Sequence, residues 1–233
     1  MKNFQFFSDF DGTITKEDTL NKFLRVYAKT DWLEVEEKWM NGDIGSKQCI
    51  EEQMQLFPLM EQKTIDEFIE SIEIDETFPD FLEYLKSEDI DFTIVSDGFD
   101  YFIERILAKN NINGVKIFSN KLKFENGRFQ TFFPHFNENC KRKSGVCKCS
   151  VVKNHRIVTK PVLYAGDGLS DFCVSGKVDI LFAKGSLLEY CKDTKNDYRD
   201  GFDLVGFKSF DEIKNYITVS YTHLRAHETL RHV

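Results

Sequence analysis

Apolar residues recur along this chain in short runs, separated by longer segments with helical spacing. The short runs predict β-strands at about 4–9, 90–96, 115–119, 161–166 and 178–183. Between some of them, helical spacing predicts helices, for example from Phe99 to Lys109 and from Gly185 to Lys192. Because such alternation is typical of parallel sheets covered on both faces, we predict an α/β fold with a Rossmann-like three-layer parallel sheet.

Residues 16–77 interrupt this alternation, because their apolar residues follow helical spacing only. Asp31 is a candidate N-cap within this segment. We interpret 16–77 as a small helical cap domain inserted after the first strand, so that 1–15 and 78–218 form the core domain. The alternative is that these helices only cover the sheet.

Residues 120–133 alternate apolar and polar positions on both sides of Asn126-Gly127. Asn-Gly between alternating segments is a strong signal for a two-residue hairpin turn. We therefore predict a β-hairpin flap beside the edge of the sheet.

The overall charge excludes some classes of partner. The chain has 233 residues and a formal net charge of −8, which argues against a general nucleic-acid or anionic-membrane surface. No stretch approaches the roughly 18 apolar residues that a membrane helix needs. Met1 leads directly into the first predicted strand, so we expect no signal peptide, a cytoplasmic location, and a monomer or homodimer.

Six cysteines in such a chain are expected to be reduced thiols. Cys140, Cys147 and Cys149 cluster in the sequence, and His135 could complete a zinc site. The spacing is irregular for structural zinc, which usually has CxxC-type pairs. We therefore favour a reduced, loop-packing cluster and keep metal binding as the alternative.

The C-terminal segment 219–233 does not continue the pattern of the fold. Suitable codons for residues 219–229 spell a sequence that resembles the adapter of transposase-based sequencing libraries. We predict that 219–233 is a non-native tail that follows a last helix from Phe210 to Ile217. A genuine amphipathic tail is the alternative.

Acidic residues follow two of the predicted strands. Asp9 and Asp11 come at the end of the first, and Asp167 and Asp171 follow the run at 161–166. Carboxylates that converge in one cleft repel one another and stay ionised only beside a cation. The pattern therefore predicts a Mg²⁺ site, and a solvated acidic turn is the alternative.

Four segments carry a more specific resemblance. They are Asp9-Phe10-Asp11-Gly12-Thr13, the run ending in Ser96, Lys148, and Gly166-Asp167 with Asp171. In order and spacing they resemble the motifs of the haloacid-dehalogenase-like (HAD) phosphatases. The resemblance implies the HAD fold with an inserted cap, Mg²⁺ as cofactor, and a small phosphorylated metabolite as substrate.

The resemblance also implies roles for individual residues. Asp9 would attack phosphorus and form an aspartyl-phosphate, and Asp11 would act as the general acid and base. The remaining implied assignments are phosphate binding by Thr13, Ser96, Asp97, Gly98 and Lys148, metal binding by Asp9, Asp11, Asp167 and Asp171, and substrate specificity from Glu17 and Asp18. Asp11 would use its main-chain carbonyl, Asp171 would hold either Lys148 or a metal-bound water, and Lys143 and Lys153 are the alternatives to Lys148.

Within the superfamily, the chain looks most like the methionine-salvage phosphatases, which hydrolyse 2-hydroxy-3-keto-5-methylthiopentenyl-1-phosphate. The segment from Gly166 to Cys173 also looks like the phosphoethanolamine and phosphocholine phosphatases, and phosphoserine is a third candidate substrate. Asp97 stands where many relatives have the second glycine of Ser-Gly-Gly. A catalytically inactive binding protein is the alternative of a different class, and retention of all the motif acids argues against it.

Overall fold

The computed structural model describes residues 4–29, 31–194 and 201–229, with side chains described through residue 219. Its strands are β1 Gln5–Ser8, β2 Asp91–Phe99, β3 Lys116–Glu125, β4 Arg128–Phe132, β5 Val162–Gly166, β6 Ile180–Ala183 and β7 Asp203–Gly206. Its helices are α1 Thr19–Tyr27, α2 Leu33–Met40, α3 Ser46–Met54, α4 Gln62–Glu70, α5 Phe78–Ser87, α6 Asp100–Lys109, α7 Lys148–His155, α8 Phe172–Ser175, α9 Gly185–Asp193 and α10 Phe210–Thr229.

The strands form one seven-stranded sheet in the order β4-β3-β2-β1-β5-β6-β7. Every neighbouring pair is parallel except β3 and β4. The predicted α/β class with a mostly parallel sheet is therefore confirmed. Strand β1 lies between β2 and β5. The carboxyl ends of these three strands, which carry the motif acids and Ser96, therefore meet at one edge of the sheet.

All four residues of β1 are buried, including the polar Gln5 and Ser8 at its two ends. Successive side chains of a strand point to opposite faces. On one face, the ring of Phe6 packs 5.1 Å from that of Phe81 in α5 and 5.9 Å from that of Phe182 in β6. On the other face, Phe7 joins the buried cluster that contains Tyr164. Both faces of the sheet are therefore covered, as predicted.

Helices α1–α4 form the helical insert between β1 and α5, and buried residues of α1, α3 and α4 belong to the cluster that contains Phe23. The ring centroid of Phe23 lies 4.5 Å from that of Phe57 and 4.6 Å from that of Phe68 within the insert. It also lies 5.3 Å from Phe102 of α6 and 5.8 Å from Phe129 of β4. The insert is thus packed against both α6 and the hairpin.

The insert leaves and rejoins the sheet domain at one place. Thr15 and Ile74 form an isolated antiparallel bridge. The amide of Lys16 donates to the carbonyl of Glu73 at 3.0 Å, and the amide of Asp75 donates to the carbonyl of Ile14 at 2.8 Å. Two short segments side by side therefore connect the insert to the rest of the chain.

The predicted hairpin is confirmed, with β3 and β4 antiparallel and Asn126-Gly127 at the turn. Both turn residues have positive φ, 52° and 75°, which is the conformation that favours Asn-Gly there. The carbonyl of Gly127 accepts a hydrogen bond from the amide of Met60 at 3.0 Å. The hairpin therefore contacts the helical insert as well as the edge of the sheet.

The last helix is longer than the sequence pattern predicts. Phe210, Ile213 and Ile217 are buried, as the pattern indicates, but the backbone of α10 continues to Thr229. Of the predicted non-native tail 219–233, residues 230–233 lie outside the described residues, as do the side chains from 220 onwards. Among the described residues, no helix combines the length and apolar character needed to cross a membrane.

Candidate active site

The motif acids converge at the carboxyl edge of the sheet. Asp9 follows β1 and is 5% exposed, and Asp167 follows β5. Asp171 ends the single 3₁₀ turn that comes next and is fully buried. One carboxylate oxygen from each of these three side chains lies within 4.8 Å of the others. Three carboxylates therefore share one small space.

The loop after β1 is shaped to admit Asp167. Gly12 has a φ of 69°, and a Cβ on it would lie 2.4 Å from Oδ2 of Asp167. Any side chain at Gly12 would therefore be strained and would collide with this carboxylate. The hydroxyl of Thr13 donates to Oδ1 of Asp167 at 2.7 Å, and Nζ of Lys184 donates to the carbonyl of Thr13 at 3.2 Å.

Lys148 is the cation within this group, and its side chain is 1% exposed. Nζ lies 2.6 Å from Oδ2 of Asp9, 2.7 Å from Oδ1 of Asp171 and 2.8 Å from Oγ of Ser170. Burial alone would lower the pKa of Lys148, but Asp171 and Asp9 raise it well above its usual range. Lys148 therefore stays charged and balances two carboxylates.

Lys148 is also the first residue of α7. The alternatives offered by the sequence, Lys143 and Lys153, have exposed side chains. Of the three lysines, Lys148 is the one that the structure brings to the motif acids.

Asp171 is held by donors on every side. Its Oδ1 accepts from the hydroxyl of Tyr164 at 2.6 Å as well as from Lys148, and its Oδ2 accepts from the amides of Asp167 and Gly168 at 3.1 and 3.2 Å. Sequence analysis missed Tyr164, because a tyrosine in an apolar strand is indistinguishable from an ordinary core residue. The hydroxyl of Tyr164 fixes the acid that in turn fixes Lys148.

Burial disfavours the ionised forms of Asp9 and Asp167. Burial raises the pKa of Asp9 well above its usual value, and Asp171 raises it further, although Lys148 opposes both. Burial and the charge of Asp171 raise the pKa of Asp167 to about 6. Carboxylate oxygens are hard ligands of the kind that Mg²⁺ prefers, and a divalent cation would relieve this repulsion. The donor set of Asp9, Asp167 and Asp171 therefore fits a divalent metal.

Asp11 lies outside this three-carboxylate group. Its Oδ1 accepts from the amide of Thr19 at 3.0 Å, and its Oδ2 accepts a longer hydrogen bond of 3.4 Å from Oγ of Ser96. Burial raises the pKa of Asp11. Since its carboxylate faces the start of α1, the predicted metal contact of Asp11 would have to come from its main-chain carbonyl.

The Ser96-Asp97-Gly98 segment lies at the end of β2. The amide of Gly98 donates to Oγ of Ser96 at 3.0 Å, and a Cβ on Gly98 would lie 2.4 Å from Oδ2 of Asp11. A side chain at Gly98 would therefore displace Asp11. Close approach explains the glycine here, because its φ is not in the left-handed region.

Asp97 connects three parts of the chain. Its carboxylate accepts hydrogen bonds from the hydroxyl of Ser46 at the start of α3, from the amide of Val146 at 2.7 Å and from Nδ2 of Asn120 at 3.2 Å. Because a carboxylate repels phosphate, any phosphate contact of Asp97 would have to use its main chain.

The two residues predicted to govern specificity are placed differently. Asp18 is the N-cap of α1, where its Oδ1 accepts from the amide of Asn21 at 2.8 Å, and it lines the pocket above the acids. Glu17 instead pairs with Lys22 and Arg25, each at 2.8 Å. Among the described residues, the pocket lining includes Asp18 and not Glu17.

The helical insert supplies the outer wall of this pocket. Apart from Asp18, sequence analysis did not identify these residues, because nothing in helical spacing marks which side chains face a cleft. Glu36 is held there by Nε2 of Gln53 at 2.7 Å. The residues of the insert that line the pocket are Asp18, Leu20, Asn21, Glu36, Trp39, Ser46, Cys49, Ile50 and Gln53.

The predicted cysteine cluster is only partly assembled. The sulfurs of Cys147 and Cys149 are 3.6 Å apart, and all six thiols are unbridged. Within the part of the chain that the structure describes, the three acids are the one group of three or more potential ligands that meets the 4.8 Å spacing. The zinc alternative with Cys140 and His135 therefore finds no preformed site.

Comparison with known proteins agrees with this geometry. Residues 5–183 match the family described as "Putative Phosphatase". The chain is 28% identical over 211 residues to the 2-hydroxy-3-keto-5-methylthiopentenyl-1-phosphate phosphatase of an Exiguobacterium species. This alignment covers 90% of this chain and 94% of the relative. It is 28% identical over 209 residues to the enzyme of that name from Bacillus pumilus, with 88% and 90% covered.

Solved structures show the same fold. A substrate-bound phosphoserine phosphatase superposes with a TM-score of 0.66 at 17% identity, covering 93% of this chain and 99% of that one. Phosphoserine phosphatase from T. onnurineus superposes with a TM-score of 0.66 at 20% identity, and the match covers 93% of this chain and 94% of that one. The family match spans most of the chain and includes Asp9, Lys148 and Asp171, the residues that the structure joins at the carboxyl edge. The chain belongs to this phosphatase family and shares the fold of the phosphoserine phosphatases.

Proposed function

We propose that the protein is a Mg²⁺-dependent hydrolase of a small phosphomonoester that works through an aspartyl-phosphate on Asp9. The observation that carries the proposal is the group of Asp9, Asp167 and Asp171, in which Asp9 and Asp171 are buried and Lys148 bridges these two. A Mg²⁺ held by the three acids would stabilise negative charge on the phosphoryl group. Structural cover or a solvated turn would not require two acids and a cation to be buried beside a third acid.

In this mechanism Asp9 supplies the nucleophilic oxygen. Its Oδ1 accepts from the amide of Phe10 at 2.7 Å, and its Oδ2 is held by Lys148 at 2.6 Å. These contacts fix the carboxylate in one orientation, so that attack on phosphorus needs no rearrangement. Lys148 then balances the charge that accumulates on the transferring group.

Asp11 would move the protons. Burial raises the pKa of Asp11, which favours its protonated form and so the role of acid toward the leaving oxygen. In the second half of the reaction the carboxylate left behind would take a proton from the water that attacks the aspartyl-phosphate. Thr19 and Ser96 hold it in place for both steps.

For the substrate, we propose the ester named by the curated relatives, 2-hydroxy-3-keto-5-methylthiopentenyl-1-phosphate. Identity of 28% over most of both chains supports it. The pocket wall also contains Leu20, Trp39 and Ile50, which could cover an apolar methylthio chain. A metabolite substrate of this kind is our reason to propose a cytoplasmic location.

An ester with an amino or quaternary ammonium group, such as phosphoserine, phosphoethanolamine or phosphocholine, is the second candidate. The pocket above the reacting acids contains further carboxylates from Asp18, Glu36 and Asp97. A cation on the leaving group would be attracted to these charges, and Trp39 offers an aromatic face to it.

A panel of phosphomonoesters tests both candidates. Purified protein should hydrolyse at least one member with Mg²⁺ and lose that activity in EDTA. The Asp9→Asn variant, which keeps the shape of the side chain, should be inactive and remain folded. Equal activity in EDTA, or in Asp9→Asn, would overturn the mechanism. The ranking of the methylthiopentenyl ester against the three nitrogen-containing esters decides between the candidates.

A further inference from the structure

Two thiols flank the lysine that bridges the catalytic acids. Cys147 is the N-cap of α7, Lys148 is its first residue, and Cys149 follows. The sulfurs of the two cysteines are 3.6 Å apart. Cys173, two residues after Asp171, also donates to the sulfur of Cys149. The hydrolysis described above uses none of these thiols.

The two thiols differ in access and in acidity. Cys149 is half-buried and lines an open recess that also contains Lys177, whereas Cys147 is 1% exposed. Hydrogen bonding from Cys173 and the nearby charge of Lys177 lower the pKa of Cys149 to about 5. Burial raises the pKa of Cys147 to about 11. Since the thiolate is the nucleophile, Cys149 is the thiol that an oxidant would meet and react with.

We propose that Cys149 and Cys147 form a peroxide-sensitive thiol pair whose disulfide switches the phosphatase off. The Cys149 thiolate attacks one oxygen of a peroxide, breaks the O–O bond and becomes a sulfenic acid. The Cys147 thiol then attacks the sulfenic sulfur, the S–S bond forms, and water leaves. Two thiols are oxidised by two electrons, and hydrogen peroxide is reduced to two molecules of water.

The disulfide would disturb Lys148 directly. The sulfurs must approach from 3.6 Å to about 2.05 Å, and both belong to residues bonded to Lys148. The first turn of α7 must therefore shift. Nζ of Lys148 is held at 2.6 Å from Asp9 and 2.7 Å from Asp171, so a shift of the backbone breaks contacts that hold the nucleophile. This consequence for activity rests on the proposed function, whereas formation of the disulfide does not.

Peptide mapping tests the disulfide without any assay of activity. The full-length protein is treated with hydrogen peroxide, its remaining thiols are alkylated, and it is digested with trypsin. Trypsin cleaves after Lys143, Lys148 and Lys153, so peptides 144–148 and 149–153 stay together only when Cys147 and Cys149 are linked. The expected result is a linked pair that dithiothreitol separates. Separate alkylated peptides, or a link from Cys149 to Cys173, would overturn the proposal.

Activity measurements test the switch. Peroxide should lower the rate of wild-type hydrolysis by at least about tenfold, and dithiothreitol should restore it. Cys149→Ser should resist peroxide. Cys140→Ser is the matched control, because Cys140 lines the same recess and is outside the pair, and it should be inactivated like the wild type. Full activity in protein whose disulfide has been mapped would refute the switch, and absence of hydrolysis in any condition would count against the proposed function alone.

Discussion

The two aspartates that follow β1 are two residues apart and have different surroundings. Asp9 is held by Lys148 at 2.6 Å, whereas Asp11 is held by the amide of Thr19 and by Ser96. Neighbouring carboxyl groups take different roles when their surroundings separate their protonation states. Burial raises the pKa of both acids, so the ionised form of Asp9 that attacks would depend on Lys148 together with a bound Mg²⁺, whereas the raised pKa of Asp11 suits it to carry a proton.

Asp11→Asn should therefore slow the hydrolysis of esters with poor leaving groups more than that of esters with good ones. The amide keeps the contact with Thr19 but cannot donate a proton, and general acid catalysis contributes about 10²–10⁴-fold. We expect kcat/KM to fall by that order for alkyl phosphates and by much less for p-nitrophenyl phosphate, whose leaving group needs little protonation. The measurement is kcat/KM across leaving groups of different pKa, and a uniform loss would contradict the role.

Asp167 makes the metal-free protein sensitive to pH. Burial raises its folded-state pKa to about 6, above the roughly 3.9 of an unfolded chain. The stability linked to the bound proton is therefore present below pH ~4 and lost as the pH rises through 6. Without metal, Asp167→Asn should be more stable than the wild type by about 2–3 kcal/mol at pH 7 and equal to it at pH 4.

Chemical denaturation in EDTA at the two pH values measures this difference. The exposed acid Asp66, on α4, provides the control, since Asp66→Asn removes the same charge without entering the site. Saturating Mg²⁺ should reverse the order, because the wild type gains binding free energy that Asp167→Asn loses. An Asp167→Asn advantage that is the same at both pH values would be inconsistent with the raised pKa.

At this scale the sequence predicts the reacting acids better than the residues that hold them. Asp9 and Asp167 are recognisable because they follow predicted strands, Lys148 is recognisable from its place in the order of the motifs, and the structure brings these residues together. Tyr164 and Lys184 are not recognisable. Their contacts with Asp171 and Thr13 depend on how separate elements pack, which no local pattern reports.

Among the elements, the helical insert determines what lies above the reacting acids. Its entry and exit segments are paired at Thr15 and Ile74, directly after the loop that carries Asp9 and Asp11. Trp39 of α2 and Asp18 at the start of α1 line the pocket. We propose that α1–α4 act as a cap that turns about this paired junction and excludes water during the reaction.

Changes on the pocket side of this cap should alter the ranking of substrates. Trp39→Ala should lower kcat/KM for the best metabolite ester by about tenfold or more, but p-nitrophenyl phosphate, which makes few cap contacts, should lose less. Met40→Ala is the control, because Met40 is the next residue of the same helix and is 66% exposed. Kinetics on both esters and a melting curve are needed for each variant.

Asp18→Asn tests the same idea without removing the N-cap. The amide oxygen can still accept from the amide of Asn21, whereas alanine would cost α1 about 1 kcal/mol. Equal losses on both esters that follow a lower melting temperature would show that the insert is only structural cover. A changed ratio of the two rates with an unchanged melting temperature is the expected result.

Elements with a clear apolar pattern or turn signal in the sequence were predicted, and elements without one were not. The buried strand β5 and the hairpin turn at Asn126-Gly127 follow from local pattern. Strand β7, Asp203–Gly206, escaped prediction because it is short and only half-buried at the sheet edge. Strand β7 is defined by its hydrogen bonds with β6. The four residues of β7 carry no local pattern that would predict this pairing.

At the scale of the whole molecule, the last buried apolar residue that the structure describes is Ile217, two residues before the predicted tail begins. Phe210, Ile213 and Ile217 bury the last apolar face of α10, and Val219 is 57% exposed. A chain truncated after Thr218 should therefore keep its melting temperature within about 2 °C and keep its activity, because surface changes away from the core have small effects. Differential scanning calorimetry with an activity assay checks this, and a large loss of either would mean that 219–233 belongs to the fold.

The contacts of Asp97 bear on how the product departs. While α3 is in place, Ser46 covers one side of this carboxylate, and Val146 and Asn120 hold the other. If α3 moves away with the proposed cap, Ser46 leaves, and the Asp97 carboxylate, with one hydrogen bond fewer, faces the pocket that contains inorganic phosphate. Like charges in a partly dry cleft repel strongly. Asp97, which binds Ser46 of the cap during the reaction, would thereby promote release of inorganic phosphate. The Asp97→Asn variant should therefore be inhibited by inorganic phosphate at lower concentrations than the wild type.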